Sequence, residues 1–278
     1  MAQSWQDLLF AHWPVPAGEL RRWVPEQLPL DTLDGTAWIA VTPFRLRGLR
    51  MRLTPPVPGL SAFPELNVRT YVTVGGRPGV YFLSLDAGSR LAVRGARLTY
   101  GLPYFHASMS AERRGGRVVY SSRRTSADGG RAEFRARYRP IGAAFAAERS
   151  SLEYFLTERY SLYTLGADER VREARIEHPP WPLQNAEAEF EQNTMTRPFA
   201  IDLSGAPLLH FAERLDVVIW PPRPLTAPGE KVVSKPEDTP PVASERYPGC
   251  AGGHAPTSGP ASGAIHARRS LSRPSSRP

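Results

Sequence analysis

Residues 65–74 alternate. Leu66, Val68, Val72 and Val74 fall on one side of an extended chain, and Glu65, Asn67, Arg69, Tyr71 and Thr73 fall on the other. Gly75-Gly76 then supplies positive-φ turn residues, and residues 79–86 (GVYFLSLD) run back. A hairpin of this kind commits the chain to antiparallel pairing between sequence neighbours.

The rest of the body repeats the device. Asp34-Gly35 precedes a strand over 36–46, and residues 54–64 carry four prolines and read as a loop. Strands are expected over 99–112, 117–125 and 131–139, separated by turns at 114–116 and 127–130. Further strands fall at 171–178, 184–191 and 208–220. Residues 16–24 read as a short helix opened by Pro16 and ended by Pro25, with Leu20, Trp23 and Val24 on one face. A second helix is expected over 89–98, with Leu91, Val93 and Leu98 as its apolar positions. Residues 150–163 read as a helix running into a strand, with Ser150 or Ser151 as N-cap and Glu153 in the first turn. Strands in hairpins with only two or three short helices give an α+β, mainly antiparallel β architecture, closed or sandwiched.

The body ends near residue 224. Beyond it, residues 225–278 hold 9 Pro, 6 Gly and 8 Ser, with no apolar periodicity. Such a segment cannot bury enough surface to offset the entropy of ordering it, so a disordered tail is expected. All six tryptophans precede it. Residues 1–224 therefore form one domain, long enough for a sizeable core.

The net charge of +8 and pI near 10 raise nucleic-acid binding. The arginines are spread along the strands rather than clustered beside stacking aromatics, so no nucleic-acid partner is expected. Arg131, Arg135, Arg137 and Arg139 read as an outer face with cross-strand charge pairs. The single cysteine, Cys250, lies in the tail, which leaves the body without a disulfide or thiol nucleophile and fits a cytoplasmic setting. No apolar run approaches bilayer length and no basic-then-apolar leader opens the chain, so neither a membrane partner nor a signal peptide is expected. The histidines His12, His106, His178 and His210 lack helical ligand spacing, and no Walker, Rossmann or nucleophile-elbow motif occurs. No metal and no cofactor is expected. His178, before Pro179-Pro180-Trp181-Pro182, reads as part of a rigid loop packed on the core.

The segment RGARLTYGLPYFHA (94–107) resembles the signature of the acetoacetate decarboxylase-like superfamily. With FPELNVRTYV (63–72), GVYFLSLDA (79–87), SLEYFLTERYSLY (151–163), HPPWPLQNAE (178–187) and LDVVIWPP (215–222), the body resembles the YqjF-like family, an uncharacterised branch of that superfamily. The resemblance spans about residues 8–223. It implies an acetoacetate decarboxylase-like β-barrel or sandwich, and it allows a homo-oligomer.

The resemblance also sets a limit. In the decarboxylase, lysines follow the Gly-x-Pro element, and one of them forms a Schiff base. Here Pro103 is followed by Tyr104 and Phe105, and the only lysines of the chain are Lys231 and Lys235, in the tail. Schiff-base decarboxylation by the body is excluded, because neither a phenol nor a phenyl ring can form an iminium. The decarboxylase's strand carboxylate has its nearest match in Glu65.

The candidate site follows. Glu65 is the candidate acid/base, and Arg69 a bidentate clamp for a carboxylate. Asn67 and Tyr71 share their strand face. Tyr104 stands where the family's chemistry would be, and His106 could converge on Glu65. Arg97 is expected either to shape the cavity or, as the favoured reading, to form a buried ion pair with Asp86. Glu158 and Arg159 could reach the cavity, although a surface Glu/Arg pair at a helix end is the simpler reading. The expected function is binding of a small anionic or carbonyl-bearing molecule. One alternative is a lysine-independent hydratase or aldolase-type lyase using Glu65. Another is a structural or oligomeric scaffold with a vestigial pocket.

Overall fold

The computed structural model describes residues 1–51, 54–56 and 61–225. The tail expected to be disordered falls, from residue 226 onward, outside the described residues, as do residues 57–60 of the proline-rich loop.

Twelve strands and three helices follow in the order β1 (Ala2–Val15), α1 (Ala17–Arg21), β2 (Ala37–Arg50), β3 (Phe63–Val74), β4 (Arg77–Ala87), α2 (Arg90–Tyr100), β5 (Tyr104–Arg114), β6 (Arg117–Arg124), β7 (Glu133–Phe145), α3 (Leu152–Thr157), β8 (Ser161–Leu165), β9 (Val171–Glu177), β10 (Leu183–Asn193), β11 (Leu208–Ile219) and β12 (Arg223–Pro224). All strands join one sheet, ordered β12-β9-β8-β4-β3-β2-β1-β11-β10-β7-β6-β5. Pairing is antiparallel except where β4 meets β5 and β8.

Two further pairings, β9 with β11 and β4 with β5, close the sheet on itself twice. One closure makes a ring of nine strands (β4, β3, β2, β1, β11, β10, β7, β6, β5), the other a ring of seven (β4, β3, β2, β1, β11, β9, β8). The rings share a wall of five strands, β4-β3-β2-β1-β11. A strand in that wall is covered on both faces, and its alternation decides which residue enters which ring.

The nine-stranded ring is filled. Leu66 and Val68 of β3 enter it and meet Leu9, Trp13, Ile39, Tyr120, Phe134 and Tyr138, all buried. Its tyrosine hydroxyls find backbone acceptors: Tyr120 donates to the Glu65 carbonyl at 2.7 Å and Tyr138 to the Asp7 carbonyl at 2.9 Å. One ion pair is fully enclosed. Arg124 contacts Asp86 at 2.7 Å, donates to Ser84 Oγ at 3.0 Å and bonds the Gly129 carbonyl. A Cβ on Gly129 would stand 2.5 Å from the Phe105 ring, so this approach admits only glycine. The pairing of Asp86 with Arg97 is thus corrected: Asp86 points into the filled ring opposite Leu66, where β6 delivers Arg124.

Three other expectations change. No strand is expected before residue 16, yet β1 is fourteen residues long. It is buried on both faces from Leu8 to Trp13, so no apolar/polar alternation exists to be read. Its phase also slips at a bulge, where Asp7 takes φ 52° and the register with β2 shifts. The strand expected from residue 99 starts at Tyr104, because α2 continues through Tyr100 and closes on Gly101 in the left-handed region, φ 64°. Ser89 caps α2 by accepting from the Ala92 amide. The face of α2 is corrected in part: Val93 is buried as expected, but Leu91 and Leu98 are 62% and 78% exposed, and Tyr100 is the other buried residue. The outer-face reading of β7 stands, since Arg137 pairs with Glu191 and Arg139 with Glu187.

Candidate functional site

The seven-stranded ring is hollow. Every one of its strands lines a cavity of about 280 Å³, joined by α2, by the start of β5 and by the turn after α3. The alternation of β3 that sends Leu66 and Val68 into the packed ring sends Glu65, Asn67 and Arg69 into this cavity. Trp5, Phe44, Phe82, Leu85, Leu162 and Ile176 supply much of the remaining wall.

Glu65 is 4% exposed, with no ion-pair partner among the described residues. Burial raises its pKa to about 8, opposed only by the Tyr104 hydroxyl, which donates to Oε1 at 3.1 Å and lies 3.2 Å from Oε2. Tyr104 reaches it because the parallel pairing of β4 with β5 sets Tyr104 beside Leu85, itself opposite Asn67. Burial and the neighbouring Glu65 push the Tyr104 phenol well above its usual range. The pair is therefore neutral at pH 7. Asn67, between Glu65 and Arg69, has an Oδ1 with no hydrogen bond among the described residues.

Arg69 is 7% exposed. Its guanidinium donates to the Leu156 carbonyl at 3.4 Å and lies 5.2 Å from the Phe10 ring centroid and 5.8 Å from that of Tyr71. Among the described residues no carboxylate lies within ion-pair distance of it. Arg159 differs: it also lines the cavity, but Asp31 Oδ2 holds its guanidinium at 2.6 Å. The Tyr71 ring lies between these two cations, 5.1 Å from Arg159. Tyr71 supports the arginines from behind and is absent from the cavity lining.

Two expected site residues stand elsewhere. Arg97 is on the outer side of α2, where it bonds the Tyr104 carbonyl at 2.5 Å and pairs with Asp128 at 3.0 Å. It positions the strand that carries Tyr104 without reaching the cavity. His106 is carried past the cavity as β5 leaves β4 for β6, and its Nδ1 lies 2.7 Å from Thr125 Oγ1. It does not meet Glu65. The convergence expected of His106 is made by Tyr104.

Two residues exceed their expected roles. Arg159, for which the cavity was the alternative to a simpler surface pair, is buried in the cavity wall, and Glu158 is buried beside it, accepting from the Trp181 amide at 3.0 Å. His178 does fix the proline-rich loop, stacking on Tyr160 with ring centroids 4.5 Å apart. It also lines the cavity, and burial lowers its pKa. No spacing rule pointed to either; the only signal was their place in segments carrying the family resemblance. Among the described residues, no cluster of three His, Cys, Asp or Glu could hold a metal, and no helix is long and apolar enough to cross a membrane.

This mainly antiparallel sheet with few helices has the acetoacetate decarboxylase-like class of fold. The acetoacetate decarboxylase of Legionella pneumophila superposes with a TM-score of 0.51 at 13% identity, covering 81% of this chain and 88% of that one. The enduracididine biosynthesis enzyme MppR, complexed with the condensation product of pyruvate and imidazole 4-carboxaldehyde, superposes with a TM-score of 0.56 at 14% identity, covering 81% and 89%. At such identities the likeness is one of fold. Within that class the chain belongs to the DUF2071 family of uncharacterized conserved proteins, whose profile matches residues 2–216. It is 53% identical over 224 residues to the uncharacterized protein YqjF of Bacillus subtilis strain 168, covering 80% of this chain and 91% of that protein.

Proposed function

We propose that this protein binds a small molecule bearing an anionic group, held by Arg69 inside the seven-stranded ring, and that it does so without Schiff-base chemistry. The observation that carries this reading is Arg69 itself. A buried charge is costly unless paired, and removing it from water without a counter-ion is compensated only when an anion arrives. Glu65 does not serve, because burial keeps it protonated below about pH 8. Asn67 and the Glu65–Tyr104 pair offer hydrogen bonds to a neutral oxygen such as a carbonyl. The described body contains no lysine, so no side-chain amine is present to form an iminium with a carbonyl held here. Binding of pyruvate by MppR, a protein of the same fold, supports a carboxylate as the class of anion.

Thermal shift against a panel of keto acids and plain carboxylates tests the reading. Stabilisation by at least one carboxylate, lost in Arg69→Ala, is expected. Equal shifts in both proteins would refute it. Borohydride trapping with the same panel should leave residues 1–224 unlabelled.

A second reading has its own observation. A carboxyl with a pKa of about 8, bonded to a phenol, can donate or accept a proton near neutral pH. Glu65 would then act as general acid/base in a hydratase or aldolase-type lyase. Turnover of a panel member, abolished in Glu65→Gln while binding persists, would establish it.

A further inference from the structure

The two polar ends of the cavity lie far apart. Glu65 and Arg69 share one face of β3, four residues apart, which separates their Cα atoms by about 13 Å. The Arg69 guanidinium lies 5.2 Å from the Phe10 ring centroid and 5.8 Å from that of Tyr71, and it donates to the Leu156 carbonyl. The space between is bordered by Asn67 and by apolar side chains, among them Phe44, Phe82 and Leu85.

The charge balance is equally one-sided. Arg159 is already matched by Asp31. Of the two arginines that line the cavity, Arg69 alone has no carboxylate within ion-pair distance among the described residues, and the Glu65–Tyr104 pair adds hydrogen-bonding groups further along β3. A second carboxylate on a ligand would find the other guanidinium already matched by Asp31.

We infer that the ligand is an elongated amphipathic monocarboxylate, its carboxylate on Arg69, its apolar chain along the wall, and a ketone or hydroxyl oxygen at its far end on Glu65 and Tyr104. This deepens the reading above and rests on Arg69 as the anion site. At roughly 1.5 Å per bond, a chain of about eight atoms is needed to span the order of 10 Å between the two contacts. The cavity of about 280 Å³ holds such a chain, at roughly 30 Å³ for each water-sized group. In pyruvate or acetoacetate the carboxylate and the carbonyl are too close together to reach both ends.

Calorimetric titration of the full chain with pyruvate, octanoate, suberate and the octanoate that carries a ketone beside its terminal methyl tests the inference. The oxo-octanoate should bind about tenfold more tightly than octanoate and at least that much more tightly than pyruvate or suberate. Tyr104→Phe should collapse the difference between the oxo acid and octanoate. This deletion of one hydroxyl serves as the readout should Arg69→Ala fail to fold. Pyruvate binding as tightly as the oxo acid, and dependent on Arg69, would overturn the inference and leave the anion site standing. Equal affinities for octanoate and its oxo form would overturn the distal contact. Absence of binding by every carboxylate would remove both the inference and the reading beneath it.

Discussion

The nine-stranded ring and the seven-stranded ring are built on the same five strands, and they treat buried charge in opposite ways. In the filled ring Arg124 finds Asp86, Ser84 and the Gly129 carbonyl, and the surrounding space is occupied by aromatic and aliphatic side chains. In the hollow ring, among the described residues, Arg69 finds one long hydrogen bond and no carboxylate, and Glu65 finds a phenol and no cation. Every second residue of β3 serves one ring, its neighbours the other. The ring whose arginine lacks a carboxylate partner among the described residues is the one proposed to take a ligand.

Breaking the ion pair of the filled ring should have the largest effect. Asp86→Ala strands the Arg124 guanidinium in the packed ring and should cost about 3–5 kcal/mol in urea denaturation. A loss below about 1 kcal/mol would show that the two rings do not differ in this respect. Truncating β3 on alternate faces sharpens the contrast. Leu66→Ala, on the filled side, should cost about 2–5 kcal/mol, whereas Asn67→Ala, one residue on, removes a polar group with an unmet acceptor and should cost less than about 1 kcal/mol. Similar losses from both would place Asn67 in a packed environment.

A pH titration isolates Glu65. Its native pKa of about 8 exceeds the ordinary glutamate value of 4.5, so the folded state holds a proton that the unfolded state gives up. The protonated carboxyl contributes fully below pH 4.5, and stability falls as pH rises toward 8, by a few kcal/mol in all. Glu65→Gln should flatten that decline, and melting curves of both proteins from pH 5 to pH 9 measure it. Parallel curves would mean that Glu65 is ionised and solvated. The smallest effect belongs to the exterior: Arg137→Ala, which removes an exposed pair with Glu191, should change stability by less than about 0.5 kcal/mol.

The legible parts of the sequence were those with local signals. The alternation of residues 65–74 sets which side chains share a face, and the glycine turns and the Ser151 cap lie near where they were expected. That Glu65 and Tyr104 belong to one site followed only from the family resemblance, and their direct contact across 39 residues was not expected. What was illegible had a physical cause. A chain with 33 arginines offers many partners for one aspartate, and only the tertiary register selects Arg124 over Arg97. β1 lacks alternation because both its faces are buried. Arg159 and His178 enter the cavity through the packing of a short helix and a proline-rich loop, for which no periodicity speaks.

A crystal structure of the protein with a bound monocarboxylate tests the central claim most directly. The account predicts the carboxylate within about 3 Å of the Arg69 guanidinium, inside the seven-stranded ring. A carboxylate bound elsewhere, or an Arg69 side chain turned out of the cavity to meet an acidic partner, would contradict it.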